Sequence, residues 1–289
     1  MKTIPPPHPD PHRPALALPP LACDAHCHIF GPGDRFPYAP DRAYTPPDAP
    51  LEKFAALQER LGLERAVFVQ ASCHGTDNSA MLDALRRGNG RYAGVAMIDT
   101  SFTDAQIDEL HEAGVRGTRF NFVAHLGGAP DIDEFWSVVH RVAGRGWHIV
   151  LHFDAVDIPQ YLGLLGDMPC AYVIDHMGRV PVTDGVDQEP FQRLLELMRS
   201  DHQAWVKVSG AERLTADGAA PYDDVVPFAR LLIDSAPDRV LWGTDWPHPN
   251  VRVMPDDGDL VDVLADFAPD EHVRHQLLVT NPQTLYDFA

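Results

Sequence analysis

Short runs rich in β-branched and aromatic residues alternate along this chain with stretches whose apolar residues recur at helical spacing, the pattern of βα units feeding a parallel sheet. Eight strand runs stand out: Leu21–His28, Arg65–Ala71, Tyr92–Ile98, Val115–Phe120, His148–Phe153, Ala171–Asp175, Ala204–Ser209 and Arg239–Gly243. The intervening pattern predicts helices over about 51–61, 77–87, 103–113, 131–145, 156–166, 187–200 and 222–236, with an eighth over 258–267 or 271–279. Eight strands each followed by a helix match a (β/α)8 TIM barrel, read as a single α/β domain over 21–289. An open doubly wound sheet is the alternative, but no G-x-G-x-x-G opens a helix after the first strand.

Residues 1–20 break the pattern. They hold eight prolines, so the segment can neither enter a sheet interior nor form a helix, and it reads as an extended N-terminal arm. The arm suits wrapping a partner subunit as well as lying along its own barrel, for example across the bottom face, so oligomeric state stays open. Over 289 residues, 45% hydrophobic content is ample for a large core. No apolar run approaches the roughly 20 residues needed to cross a bilayer, and the N-terminus lacks the apolar core of a secretion signal; a soluble, cytoplasmic protein is expected. The four cysteines (23, 27, 73 and 170) form no C-x-x-C pair, and Cys23, Ala25 and Cys27 are expected to share one buried strand face. A net charge of −19 speaks against nucleic acid and anionic membrane surfaces as partners. A small anionic substrate remains compatible, because a few arginines inside a low-dielectric cleft dominate the local potential.

Candidate chemistry collects where the strands end. In Asp24-Ala25-His26-Cys27-His28, strand alternation turns Asp24, His26 and His28 to one face. Further polar residues follow the other strands: Ser72 and His74, Arg119 and Asn121, His152 and Asp154, His176 and Arg179, Ser209 and Arg213, and Asp245. In a closed barrel all of these meet at one face. Four imidazoles and a carboxylate suit a divalent metal such as Zn²⁺, which would polarise a carbonyl and acidify a bound water. Without a metal, the histidines could polarise the carbonyl themselves while Asp245 activates water as general base. Both designs are open at this level.

The motifs carry a resemblance. His26-x-His28, Ile174-Asp175-His176-Met177-Gly178 and Gly243-Thr244-Asp245-Trp246-Pro247-His248 resemble the amidohydrolase superfamily. Gly117-Thr118-Arg119-Phe120-Asn121-Phe122 and Asp175-His176-Met177-Gly178-Arg179-Val180-Pro181 are similar to its branch of 2-pyrone-4,6-dicarboxylate lactonases, sulfomuconolactone hydrolases and sugar lactonases. The resemblance implies hydrolysis of a small carboxylated lactone, with His26, His28 and His176 at the carbonyl and Asp245 activating water. It also implies that arginines hold substrate carboxylates, and Arg119, Arg179 and Arg213 fit because a guanidinium fork matches a carboxylate. Two departures stand out. Ala124-His125 occupies the place where a relative carries another arginine, which makes His125 a candidate substrate contact. His152 is absent from a metal-independent relative, which favours a metal held by His26, His28, His152 and Asp245, with His176 adjacent.

Other residues divide between roles. Ser72 and His74 either hydrogen-bond substrate or shape a turn, and Tyr44 either covers the ligand or packs among prolines. His248, between two prolines, reads as structural or as a support behind a site residue, Asp24 as a partner of an imidazole or of buried backbone donors. Lys207 lies in the seventh strand on the face opposite Val206 and Val208. A serine triad is disfavoured by the lack of G-x-S-x-G, and Cys73 beside His74 would need a turn for the pair to meet. The competing functions are a metal-dependent decarboxylase of the same superfamily and a non-catalytic barrel that binds acidic metabolites.

Overall fold

The computed structural model describes residues 2–123 and 128–288. Eight parallel strands stand in sequence order around a nearly closed barrel: β1 (Cys23–Cys27), β2 (Arg65–Val69), β3 (Tyr92–Ala96), β4 (Val115–Asn121), β5 (His148–His152), β6 (Tyr172–Ile174), β7 (Ala204–Lys207) and β8 (Val240–Leu241). Helices α1 (Leu51–Leu61), α2 (Ser79–Arg87), α3 (Asp104–Glu112), α4 (Ile132–Ala143), α5 (Ile158–Gly166), α6 (Glu189–Ser200) and α7 (Val226–Ser235) lie between them. Each keeps within a few residues of its predicted span, because caps as well as periodicity mark the ends. Thr103 and Gln106 form a reciprocal capping box on α3, and Gly62 closes α1 in the left-handed region at φ 79°. The eighth helical stretch departs from expectation, breaking into short pieces between Asp257 and Tyr286.

Two apolar layers hold the barrel. The outer one joins strands to helices through residues such as Phe54, Phe68, Phe135, Phe191 and Phe228. The inner one stacks Cys23, Ala25, Val67, Val69, Val95, Val150, Val173 and Leu241, and Tyr286 and Phe288 from the C-terminus pack against it. Burying such side chains is the main favourable term, about 1.5–3 kcal/mol for each large one.

The seam between β1 and β8 differs from the plain alternation expected for the first strand. Asp24 pairs with Ala66 and Cys27 with Phe68, so β1 spends three steps where β2 spends two. This bulge puts Asp24 on the same face as Cys27, away from the histidine face, and it divides the small residues: Cys23 and Ala25 join the inner cluster, Cys27 the outer. The last strand is short, and backbone bonds beyond it complete the ring: Ala25 N–H to Trp242 O (2.8 Å), Asp245 N–H to His26 O (2.7 Å) and His28 N–H to Trp246 O (2.7 Å). Asp24 Oδ1 accepts the N–H groups of His26 and Thr244, both at 3.0 Å, and Oδ2 accepts the Thr244 hydroxyl at 2.6 Å.

The proline-rich segment runs along its own barrel. Lys2–Thr3 pairs in parallel with Tyr44–Thr45, Arg60 bonds Pro11 O at 2.7 Å, and His12 and Leu16 N–H reach Asp262 at 3.2 and 2.9 Å. Among the described residues, no helix is long and apolar enough to cross a membrane.

Gly243 is where the seam is tightest. A Cβ there would press on the His26 backbone nitrogen and lie 2.7 Å from His26 Cβ and 2.8 Å from Asp24 Oδ1. Gly243→Ala should therefore cost about 2–3 kcal/mol of overpacking, read as a lower urea midpoint; an unchanged midpoint would show that the seam yields freely.

Candidate active site

β1 and its bulge deliver His26 and His28, the turn after β6 delivers His176, and the turn after β8 delivers Asp245. His176 and Asp245 both sit at positive φ, 51° and 63°, a backbone strain that side chains rarely accept outside functional turns. The result is a convergence: Asp245 Oδ1 lies 3.1 Å from His28 Nε2, 3.5 Å from His26 Nε2 and 4.0 Å from His176 Nε2. All four side chains are buried. Each ring is fixed from behind. His28 Nδ1 donates to the Val69 carbonyl at 2.7 Å, His176 Nδ1 meets Ser209 Oγ at 2.9 Å, and His26 Nδ1 has Lys207 Nζ at 3.1 Å.

The pocket above these groups is walled by Tyr44, Ser72, Arg119, His152, Arg179 and Arg213. Arg213 Nε donates to Asp245 Oδ2 at 2.5 Å and a second guanidinium nitrogen contacts the same oxygen. Arg119 Nε holds Asp175 Oδ2 at 3.0 Å, and Arg179 Nε holds Asp154 Oδ1 at 2.6 Å. His152 Nδ1 meets Asn121 Oδ1 at 3.1 Å, with its ring 5.7 Å from that of His176. Of the two roles open to His74, its hydrogen bonds favour the turn. His74 lies off the pocket wall, accepting the Gly31 N–H at Nε2 and bonding Pro37 O through Nδ1, both at 3.1 Å, so it shapes a loop. His125 lies outside the described residues.

Burial sets the protonation states here. It pushes the His26 and His152 pKa values well below the ordinary 6.5, helped by Lys207 and Arg119 respectively, and takes His176 down to about 4. These rings are neutral at neutral pH. Burial alone would raise Asp245, but the Arg213 guanidinium overcomes it and holds the carboxyl well below the usual range. The centre is therefore a carboxylate faced by imidazoles under a rim of guanidinium groups.

The family model "Amidohydrolase" matches residues 23–288 of the chain. The chain belongs to the amidohydrolase family. Among its relatives, the 2-pyrone-4,6-dicarboxylate hydrolase of Comamonas testosteroni is 49% identical, with 96% of this chain and 93% of that protein covered. The 4-sulfomuconolactone hydrolase of Rhizobium radiobacter is 44% identical, covering 94% and 92%. A crystal structure of an Acinetobacter baumannii protein with citric acid bound superposes with a TM-score of 0.80 at 26% identity, over 93% of this chain and 100% of that one.

Amidohydrolases often use a divalent metal, and the spacing for one exists. One donor atom each from His26, His176 and Asp245 lies within 4.8 Å of the others, against roughly 3.4 Å between tetrahedral ligands of zinc. This trio differs from the expected set, with His176 taking the place of His28 and His152. The hydrogen bonding behind it does not fit. A ligating imidazole normally hands its second N–H to a carboxylate or carbonyl, as His28 does to Val69. His26, a member of the trio, has an ammonium in that place.

Sequence reasoning passed over Asp175 and left Lys207 without a place. Both are fully buried beneath His26, 3.2 Å apart. The usable signal was a lysine in an otherwise apolar strand, which stays buried when a carboxylate on a neighbouring strand partners it.

His248 is an internal cation in this amidohydrolase, with Nε2 3.0 Å from Asp257 Oδ1 and Nδ1 3.9 Å from Glu212 Oε1. Burial alone would lower its pKa, but Asp257 and then Glu212 outweigh it and raise it from 6.5 to about 10. A folded-state value above the unfolded one means stability present in full below about pH 6.5 and lost as pH climbs through 10. His248→Gln should lose about 3 kcal/mol at pH 6, with the deficit shrinking toward pH 10 in urea titrations; a deficit independent of pH would refute the charged state.

Proposed function

We propose that this amidohydrolase opens a small lactone that carries anionic groups. The observation behind this reading is the convergence of three imidazole Nε2 atoms on one oxygen of Asp245, beneath a rim of arginines. Water held at Asp245 attacks the lactone carbonyl carbon and gives the carboxylate its proton. The carbonyl oxygen gathers charge within reach of the imidazoles. The ring C–O bond then breaks, and the departing oxygen takes the proton back from Asp245, leaving an open-chain acid. Arg119, Arg179 and Arg213, with Tyr44 and Ser72, line the space for the anionic substituents. The hydrolase names of the two relatives and the citric acid in the Acinetobacter structure support an anionic ligand of this size.

The Arg213 contact gives the anionic group a second use. In this structure the guanidinium lies on Asp245 Oδ2 and weakens it as a base. A substrate carboxylate that takes over part of that guanidinium restores basicity as it binds. Lactones without the carboxylate should therefore lose kcat as well as binding.

A metal reading rests on the spacing of His26, His176 and Asp245 and would make zinc the carbonyl's partner. Elemental analysis and activity after chelation separate the two: full turnover without metal supports the imidazole design, and stoichiometric zinc lost together with turnover supports the other. Free thiols at Cys23, Cys27, Cys73 and Cys170 suit a reducing compartment, and we place the protein in the cytoplasm.

Turnover should be sought with pyrone dicarboxylate, muconolactone and aldonolactone substrates, following proton release and ring-opening by mass spectrometry. Carbon dioxide release instead would indicate the decarboxylase alternative, and no turnover with an intact fold would count against catalysis. Asp245→Asn should lower kcat by roughly 10²–10⁴-fold; unaltered turnover would remove Asp245 from the base role. Arg179→Met should raise KM about tenfold for a carboxylated lactone, and a KM unchanged from wild type would place Arg179 outside the binding set.

A further inference from the structure

Lys207 ends β7 with its side chain inside the barrel and no access to solvent, where an ammonium is costly unless specific groups engage it. Two do. Nζ lies 3.1 Å from His26 Nδ1 with hydrogen-bond geometry and 3.2 Å from Asp175 Oδ1. Asp175 Oδ1 is also 3.3 Å from His26 Nδ1, yet among the described residues it makes no aligned hydrogen bond, while Oδ2 is held by Arg119. The ammonium and the carboxylate thus compete for a single ring nitrogen. Their demands are opposite, because an ammonium has donors and no acceptor, whereas a carboxylate can only accept. A ring bonded to Lys207 keeps a lone pair on Nδ1 and carries its proton on Nε2. A ring bonded to Asp175 carries the proton on Nδ1 and points a lone pair into the site.

We propose that Lys207 is a positioning residue that holds His26 as the Nε2–H tautomer, so that His26 offers the substrate carbonyl a hydrogen-bond donor and offers a cation no lone pair. Asp175, anchored by Arg119, serves as counter-charge to the buried ammonium. The opposite side of the ring agrees. Among the described residues His26 Nε2 has no aligned partner, and it stands 3.5 Å from Asp245 Oδ1, an arrangement attractive for an N–H and repulsive for a lone pair. The same lock accounts for the mismatch between His26 and a metal ligand's usual surroundings.

This inference rests on the reading of His26 as the carbonyl's partner, and its test does not depend on turnover. Long-range ¹⁵N–¹H spectra of the protein as purified, with His26 assigned by the signal missing in His26→Gln, report which nitrogen carries the proton. The Nε2–H pattern is expected in the wild type. Lys207→Met should move the proton to Nδ1, now donating to Asp175. It should also lower kcat about tenfold or more with KM little changed, and tighten binding of added Zn²⁺ by about tenfold in calorimetry. A wild-type proton on Nδ1, or a Lys207→Met tautomer identical to wild type, overturns the proposal. If Lys207→Met does not fold, the wild-type spectrum alone decides. An Nε2–H ring in a protein that opens no lactone would leave the Lys207 assignment standing and sink the hydrolase reading; lactone turnover with an Nδ1–H ring would do the reverse.

Discussion

The seam between the first and last strands is the constraint on which the site depends. His26 and His28 stand near the start of the chain and Asp245 more than two hundred residues later, yet they meet because the Asp245 N–H bonds the His26 carbonyl and the His28 N–H bonds the Trp246 carbonyl. The bulge in β1 makes this possible. It frees Asp24 from the histidine face to take up the Thr244 backbone and hydroxyl, and Gly243 leaves room for that approach. Closing the barrel and bringing these side chains together are consequently one event.

Around that seam, charge is arranged in layers. Beneath the histidines lies a desolvated set in which Asp175 faces Lys207 and Arg119; above them Asp245 faces Arg213. Ion pairs buried this deeply seldom stabilise a fold more than apolar packing would. Their value here is orientation. Each imidazole has a specified partner at its back, so its other nitrogen addresses the pocket in a defined protonation state. Burial keeps His26, His152 and His176 neutral, and the pocket wall takes its positive charge from arginines that cannot lose it.

On the proposed reading, the rim extends the same logic to an anionic ligand. Arg179 and Arg213 are each paired with a carboxylate of the protein, Asp154 and Asp245. Such pairs keep the guanidinium groups in place in the free protein, and an entering anion must exchange with or share them. A neutral molecule of equal shape would leave those pairs undisturbed and gain little from the pocket.

Much was legible in the order of residues. Alternating strand and helix periods specify the (β/α)8 barrel, because both patterns are local and repeat eight times, and the barrel in turn sends His26, His28, His176, Asp245, Arg119, Arg179 and Arg213 to one end. What the chain alone could not show was the course of short-range deviations and of contacts between strands. An extra residue in β1 took Asp24 off the histidine face and parted Cys27 from Cys23 and Ala25, since a strand's parity depends on its neighbour's register. His74 was open between a substrate contact and a turn, and only the fold shows its two nitrogens on Gly31 and Pro37. Lys207 had no meaning until Asp175 and His26 stood beside it. Residue identity determined which chemistries were available; tertiary structure decided which nitrogen faces which partner, since hydrogen bonds depend on ångström distances and angles that periodicity does not encode.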